Sequence, residues 1–212
     1  MPPVALPTGC EPVPRLWPRS TIACVGSGPS LTKADCQRLR AASSAVRVLA
    51  VNDAIDRVPW ADALFAGDAK WWGWRRGMAD AALPPLLFTL QRAAVAARPR
   101  VHVLNYSGGT GIETHPGTVR TGGHSGYAAI NVAVHLGAAQ ILLLGYDLQP
   151  GAHGAHHFFG DHPDKSHLRY DARLAAYEAL AAALAAVGVS IVNCTRRTAI
   201  TQVPAAPLAA VL

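Results

Sequence analysis

The sequence predicts an α/β fold: one domain built on a mostly parallel sheet with helices on both faces. Three observations predict it. Short apolar runs recur along the 212-residue chain and are continuous rather than alternating, as in strands covered on both faces. Helix-like stretches separate several of them, and strand–helix alternation favours a parallel sheet. Four runs turn polar at their carboxyl ends, at Gly26, Asn52, Gly67 and Gly145, where open α/β sheets hold their ligands.

The elements follow in order. Residues 1–20 carry Pro at positions 2, 3, 7, 12, 14 and 18 and read as an extended, poorly ordered arm. Thr21–Val25 is the first strand, and a helix is expected over Leu31–Ala42. Strands over Arg47–Val51 and Ala63–Ala66 come next. Lys70–Arg76 mixes three tryptophans with three cations. It suits a short helix packed under the sheet edge, with stacking on a base or sugar as the competing use. Strands over Leu86–Thr89 and Val101–Leu104 precede Asn105–Gly123, a Gly- and Thr-rich stretch that reads as a long loop. Loops of that length in a compact domain are usually functional. Ser125–Leu136 is the clearest helix, with Ser125 as N-cap and Gly137 as its stop. The strand Ile141–Leu144 leads into Gln149–Ser166, a His- and Gly-rich loop or lid. An Ala-rich amphipathic helix over Leu168–Val187 is stopped by Gly188 and followed by the strand Val189–Val192. The domain is expected to span 21–200, with a lid over 149–167 and a tail over 201–212.

Composition narrows the function. Half of the residues are apolar and 15% are charged, which excludes a wholly disordered chain. The 19 Lys and Arg exceed the 13 Asp and Glu, giving +6 and a pI near 9.5. A basic surface favours anionic partners such as nucleotides or nucleic acid, although the cations are scattered, so DNA is at most a minor partner. The four cysteines, Cys10, Cys24, Cys36 and Cys194, form no CxxC pair, so a reducing cytoplasm is the expected setting. No stretch qualifies as a membrane span: 174–192 contains Glu178 and breaks at Gly188. A homo-oligomer stays open.

Four groups of residues could carry chemistry. Gly26-Ser27-Gly28-Pro29-Ser30 follows the first strand, where glycines admit a ligand to the backbone and a helix start offers N–H groups to an anion. Tight packing is the competing use, since this is neither GxGxxG nor a P-loop. Asn52, Asp53, Gly67, Asp68, Gly145 and Asp147 mark further strand ends. One Asp there is usually a helix cap; several with an Asn suit ribose or base hydroxyls. Ser125 and Gly126 open a helix, as a simple cap or as a second phosphate-facing start. The segment 153–167 holds five of the nine histidines. It fits a lid carrying a general base, with His157 and His162 preferred and Asp161 between them. A solvated loop is the alternative, and a zinc site lacks HExxH or a nearby Cys, so no metal is expected.

Together these residues resemble a known pattern. Val25-Gly-Ser-Gly-Pro-Ser-Leu31, Asn52, the Ser125-Gly126 helix start and the run through Gly145-Tyr-Asp147 resemble the bacterial sialyltransferases that use CMP-sialic acid. The skeleton is also similar to archaeal 6-hydroxymethylpterin diphosphokinase-like proteins. It is similar as well to small tailed-phage proteins with a GDHP segment, here Gly160–Pro163. The resemblance implies a single Rossmann-like domain and a nucleotide or nucleotide-sugar donor, CMP-type, without metal. By position, Gly26, Ser27, Gly28, Pro29, Ser30 and Asn52 would line the nucleotide, Ser125 and Gly126 would hold nucleotide or donor sugar, and Gly145 and Asp147 would close the crevice. A lid His would take the proton of an acceptor hydroxyl, with Asp147 or Asp161 balancing oxocarbenium charge. The runner-up is an ATP- and Mg²⁺-dependent diphosphotransferase of the pterin type using Asp53, Asp68 and Asp147; a non-catalytic phage or prophage nucleotide-binding module is the third reading. The lid departs from the sialyltransferase pattern, with Phe158 and Phe159 where tyrosines are expected.

Overall fold

The computed structural model describes residues 10–76, 78–94, 101–162 and 169–212. Seven strands form one parallel sheet: β1 (Ser20–Val25), β2 (Val46–Val51), β3 (Ala63–Phe65), β4 (Leu86–Thr89), β5 (Val101–Val103), β8 (Ala138–Leu144) and β9 (Ser190–Asn193). Their order across the sheet is β5-β4-β3-β2-β1-β8-β9. β1 pairs with β2 on one side (Ala23 opposite Val48) and with β8 on the other (Ala23 opposite Leu142). The expected mostly parallel α/β fold is therefore the fold observed, and the strand order reverses between β1 and β8.

Alternation along the strands divides the core in two. Ile22 and Cys24 point to one layer with Leu49, Phe65, Ile141 and Leu143. Ala23 and Val25 point to the other with Val48, Leu64, Leu142 and Leu144. α1 (Lys33–Ala41) and α2 (Ala69–Trp74) cover the second layer through Cys36, Leu39, Trp71 and Trp72. The Lys70–Arg76 segment is thus largely core, although Trp74 stays 44% exposed. α3 (Ser125–Leu136) covers the first layer with Ala128, Ile130 and Val132, beside α4 (Tyr170–Ala175) and α5 (Leu180–Ala186). Helices on opposite faces follow from right-handed crossovers running in opposite directions from β1.

Three elements differ from expectation. The helix expected over 168–187 is two helices, with Leu168 outside the described residues. Across the break the backbone tightens to i→i+3 bonds, as in Tyr177 N–H to Leu174 O (2.9 Å) and Leu180 N–H to Tyr177 O (3.1 Å). This wedges the fully buried Tyr177 ring edge-on against Tyr127, 5.4 Å between centroids. The long loop 105–123 contains a small parallel pair, β6 (Asn105–Tyr106) and β7 (Thr118–Val119). Asn131, fully buried on α3, holds that loop: its Oδ1 accepts from Glu113 N–H (2.9 Å) and Arg120 N–H (3.0 Å), and its Nδ2 donates to Glu113 O (2.9 Å).

The described part of the N-terminal arm, 10–19, is extended as expected but docked. Trp17 N–H donates to Leu136 O (2.8 Å), and Val13 is buried. Glu11 N–H donates to Val103 O (3.0 Å) on the β5 edge, and Glu11 approaches His102 Nδ1 at 3.0 Å. At the opposite edge, Asn193 of β9 accepts from Ala206 N–H (3.2 Å) and donates to Pro204 O (2.7 Å). The four cysteines are free thiols, and among the described residues no helix is long and apolar enough to cross a membrane.

Candidate functional site

The carboxyl ends of β1, β2, β3 and β8 open into one cleft of about 690 Å³, a size that accepts a small-molecule ligand. Ser27, Gly28, Asn52, Gly67, Asp68, Ser125, Gly126, Gly145, Asp147, His157 and His162 line it. Gly26, Pro29, Ser30, Asp53 and Asp161 are not among the lining residues.

The 26–30 loop was expected to cradle an anion with free N–H groups, and three of those groups are instead bonded within the protein. Gly26 N–H donates to Leu144 O (2.8 Å), Gly28 N–H to Gly145 O (2.9 Å) and Ser30 N–H to Asp147 Oδ2 (2.9 Å); Pro29 has no N–H. The helix beyond is closed by a capping box between Thr32 and Asp35, and Arg196 grips the Asp35 carboxylate at 2.8 and 2.9 Å. The protein's own carboxylates sit where an anion was expected. The glycines serve close approach: a Cβ on Gly28 would overlap the Asp147 carboxylate, and one on Gly26 would lie 2.7 Å from Gly145 O.

The open helix start is that of α3. Its N-cap residue is His124, not Ser125, and no side chain caps it. Ser125 is the first helical residue, its Oγ 3.5 Å from Asp68 Oδ2. The first-turn N–H groups, the positive end of a 12-residue helix, meet the cleft that Lys70 and Arg173 also line.

Among the described residues, two acceptors in this cleft have no hydrogen-bond partner. Asn52 sits in the left-handed region at φ 52°, and its Oδ1 is buried without a hydrogen-bond partner. Asp147 Oδ1 is buried likewise. Burial pushes the Asp147 carboxyl up to about 6, against the pull of the Ser30 hydrogen bonds. Each such group costs about 1–3 kcal/mol, which a ligand's O–H or N–H donors would recover.

The lid brings His157 against the loop after β1. Its Nδ1 lies 3.0 Å from Ser27 Oγ, and Phe158 N–H donates to Ser27 O at 3.0 Å. Phe158 packs on the second core layer, with the Arg57 guanidinium 4.6 Å from its ring centre. The His157 ring stacks on Phe159 (5.0 Å) and meets His162 edge-on (4.6 Å). Burial, and then the neighbouring His162, push the His157 imidazole down to about 4, so it is neutral at pH 7. His162 turns elsewhere: it stacks on Trp74 (4.9 Å), and its Nε2 is 3.6 Å from Asp53 Oδ2. Asp53 is ion-paired with Arg75, which also grips Asp56. Asp161 accepts from His156 N–H at 3.4 Å. Pro163 and His167 lie outside the described residues.

Sequence reasoning missed His124, Arg173 and Tyr170 as cleft residues. Tyr170 O–H meets His156 Nδ1 at 2.8 Å, and the His124 ring is buried with Nε2 3.2 Å from Tyr177 Oη. Burial and the Arg173 charge push His124 down to about 3.

The two neutral imidazoles have a consequence for stability. Their folded values lie below the 6.5 of free imidazole, so between those limits the unfolded chain binds more protons and stability rises with pH. Asp147, raised from 3.8 to about 6, works in the opposite sense, but both imidazole shifts exceed it. The thermal midpoint is expected to be level near pH 7–8 and to drop as pH falls from 6.5 towards 4. A midpoint that stays flat or rises from pH 7 to pH 5 would contradict the neutral state of these rings.

A solved structure of similar fold is that of the MAf glycosyltransferase from Magnetospirillum magneticum AMB-1, with a TM-score of 0.61 at 13% identity. The match covers 93% of this chain and 35% of that one, so the chain spans about a third of that protein's length. No family model and no curated protein matches the sequence. At 13% identity the likeness speaks for the fold: a mostly parallel seven-stranded α/β domain of the Rossmann-like type.

Proposed function

We propose that the chain is a nucleotide-dependent transferase of the glycosyltransferase kind. The observation that carries this reading is convergence. An uncapped helix start, two orphaned acceptors and a neutral imidazole face one cleft at the switch point of a parallel sheet. The donor's phosphate would sit on the first turn of α3, near Arg173, within reach of the Ser27 hydroxyl across the cleft, rather than on the N–H groups of Gly26, Gly28 and Ser30, which are already bonded. Asn52 Oδ1 and Asp147 Oδ1 would accept from ribose hydroxyls or a base amine. His157 would remove the proton of the acceptor hydroxyl as its oxygen bonds to the transferred carbon. The carbon–oxygen bond to the nucleotide would break with its electron pair leaving on phosphate, stabilised by the α3 N–H groups. The fold shared with a glycosyltransferase supports this reading, and the nucleotide and acceptor belong to the proposal. The diphosphotransferase reading finds less support, because Asp53, one of its three carboxylates, is committed to Arg75 and lies outside the cleft lining.

Titration calorimetry against CMP, CDP, UDP, GDP and ATP tests it, with wild type beside Asp147→Asn. At least one nucleotide is expected to bind the wild type. The variant can still accept from Ser30 N–H but turns a buried acceptor into a donor, so affinity should fall roughly tenfold or more. Silence of all five at millimolar concentration sinks the proposal. Binding without turnover on any acceptor would leave a non-catalytic nucleotide-binding module.

A further inference from the structure

Ser27 is joined to the lid twice. Its carbonyl accepts Phe158 N–H (3.0 Å), and its hydroxyl lies 3.0 Å from His157 Nδ1. It also lines the cleft. Among the described residues the hydroxyl meets no hydrogen-bond partner besides this imidazole. A hydroxyl is both donor and acceptor, whereas a neutral imidazole carries one proton, placed by the bond its other nitrogen makes. The contact allows two arrangements: the Ser27 O–H donating to Nδ1, with the His157 proton on Nε2, the nitrogen turned away from Ser27, or Nδ1–H donating to the hydroxyl. In the first arrangement Nε2 has no lone pair with which to act as a base.

We propose that Ser27 couples occupancy of the cleft to the tautomer of His157. A ligand oxygen of phosphate type accepts the Ser27 O–H, the hydroxyl then accepts from Nδ1–H, and Nε2 is left as a bare lone pair. The proton count is unchanged: one proton leaves Nε2 for solvent, one arrives at Nδ1, and the Ser27 proton rotates from the imidazole to the ligand. His157 is thus an armed base when the donor's anion is in place and a hydrogen-bond donor when it is not. Ser27 acts through His157 and is a positioning residue. The surroundings leave it that part: Phe159 stacks on the ring, His162 meets it edge-on, and Asp53 behind His162 is held by Arg75. The inference rests on the reading of His157 as the base and of the cleft as a nucleotide site.

The test is nitrogen-15 NMR of the full chain with labelled histidine, His157 being assigned by its loss in His157→Gln. Spectra are taken alone and with saturating CMP, UDP and inorganic pyrophosphate, following the Gly126 amide as an independent report of binding at α3. Without ligand, His157 is expected to be the Nε2–H form. With a ligand that moves the Gly126 amide, Nδ1 should shift from the unprotonated to the protonated range and Nε2 the reverse. In Ser27→Ala the Gly126 amide should still move while the tautomer no longer responds, a readout that a purely structural serine would not affect. Gly126 movement with an unchanged His157 tautomer overturns the coupling and leaves the nucleotide reading standing. A Gly126 amide that none of the three ligands moves overturns both, and an Nδ1–H form in the free protein overturns the coupling outright.

Discussion

Replacing His157 by Gln is expected to lower turnover roughly 10²–10⁴-fold while leaving nucleotide affinity nearly unchanged. His157 is the lid imidazole placed against the loop after β1, with Nδ1 held by Ser27 at 3.0 Å, and burial keeps it neutral. A group that moves a proton acts on the chemical step, so its loss appears in kcat rather than in binding. The expected contrast is His162→Gln, whose native ring is stacked on Trp74 and faces Asp53. That variant should alter the hold on the lid more than the rate of the chemical step, giving a milder loss. Steady-state kinetics and calorimetry on both variants decide the point. If His157→Gln turns over at the wild-type rate, the base is elsewhere; if it loses nucleotide affinity in proportion to rate, His157 binds rather than catalyses.

The largest stability effect is expected at Asn131. Its side-chain amide satisfies Glu113 N–H, Arg120 N–H and Glu113 O from inside α3, with no exposed surface of its own. Leucine is close in volume but offers none of these partners, so Asn131→Leu strands three backbone groups in a buried setting. At about 1–3 kcal/mol each, partly offset as water reaches the loop, the net loss should be about 3 kcal/mol or more. Urea unfolding measures it, and a loss under about 1 kcal/mol would show that the loop relaxes freely. The same substitution should weaken nucleotide binding, because residues 105–123 lead directly into the α3 start.

Most strands were legible because they are short apolar runs closed by a glycine or an Asn, a signal held within a few residues; Leu86–Thr89, which runs on into Leu90 and Gln91, lacks that stop. Lining of the cleft by strand-end residues was legible for the same reason. What misled was distance. Gly26-Ser27-Gly28 reads locally as an anion cradle, and the carboxylate against it is that of Asp147, bonded to Ser30 N–H across 117 residues. The partner that places His157 is Ser27, 130 residues earlier. Ser125 fits the local rule for an N-cap, yet the chain enters α3 one residue before it, at His124. Asn131 did leave a signal, a lone amide in the apolar stretch Ala128–Val134, whose meaning depends on a loop that periodicity cannot fold.

The segments that flank the sheet have a consequence for the molecule's social behaviour. A parallel sheet ends in two strands whose outer N–H and C=O groups invite any extended peptide to add itself. Here the chain supplies both wardens: Glu11 bonds to Val103 beside β5, and residues 204–206 bracket Asn193 beside β9. Each is a short, partial graft rather than a full extra strand, and each brings proline nearby, at positions 12, 14, 204 and 207. Proline cannot pass the ladder outward to another chain. Growth of the sheet by addition of a neighbour's strand is therefore opposed at one point on each border, where the chain's own backbone already holds Val103 and Asn193.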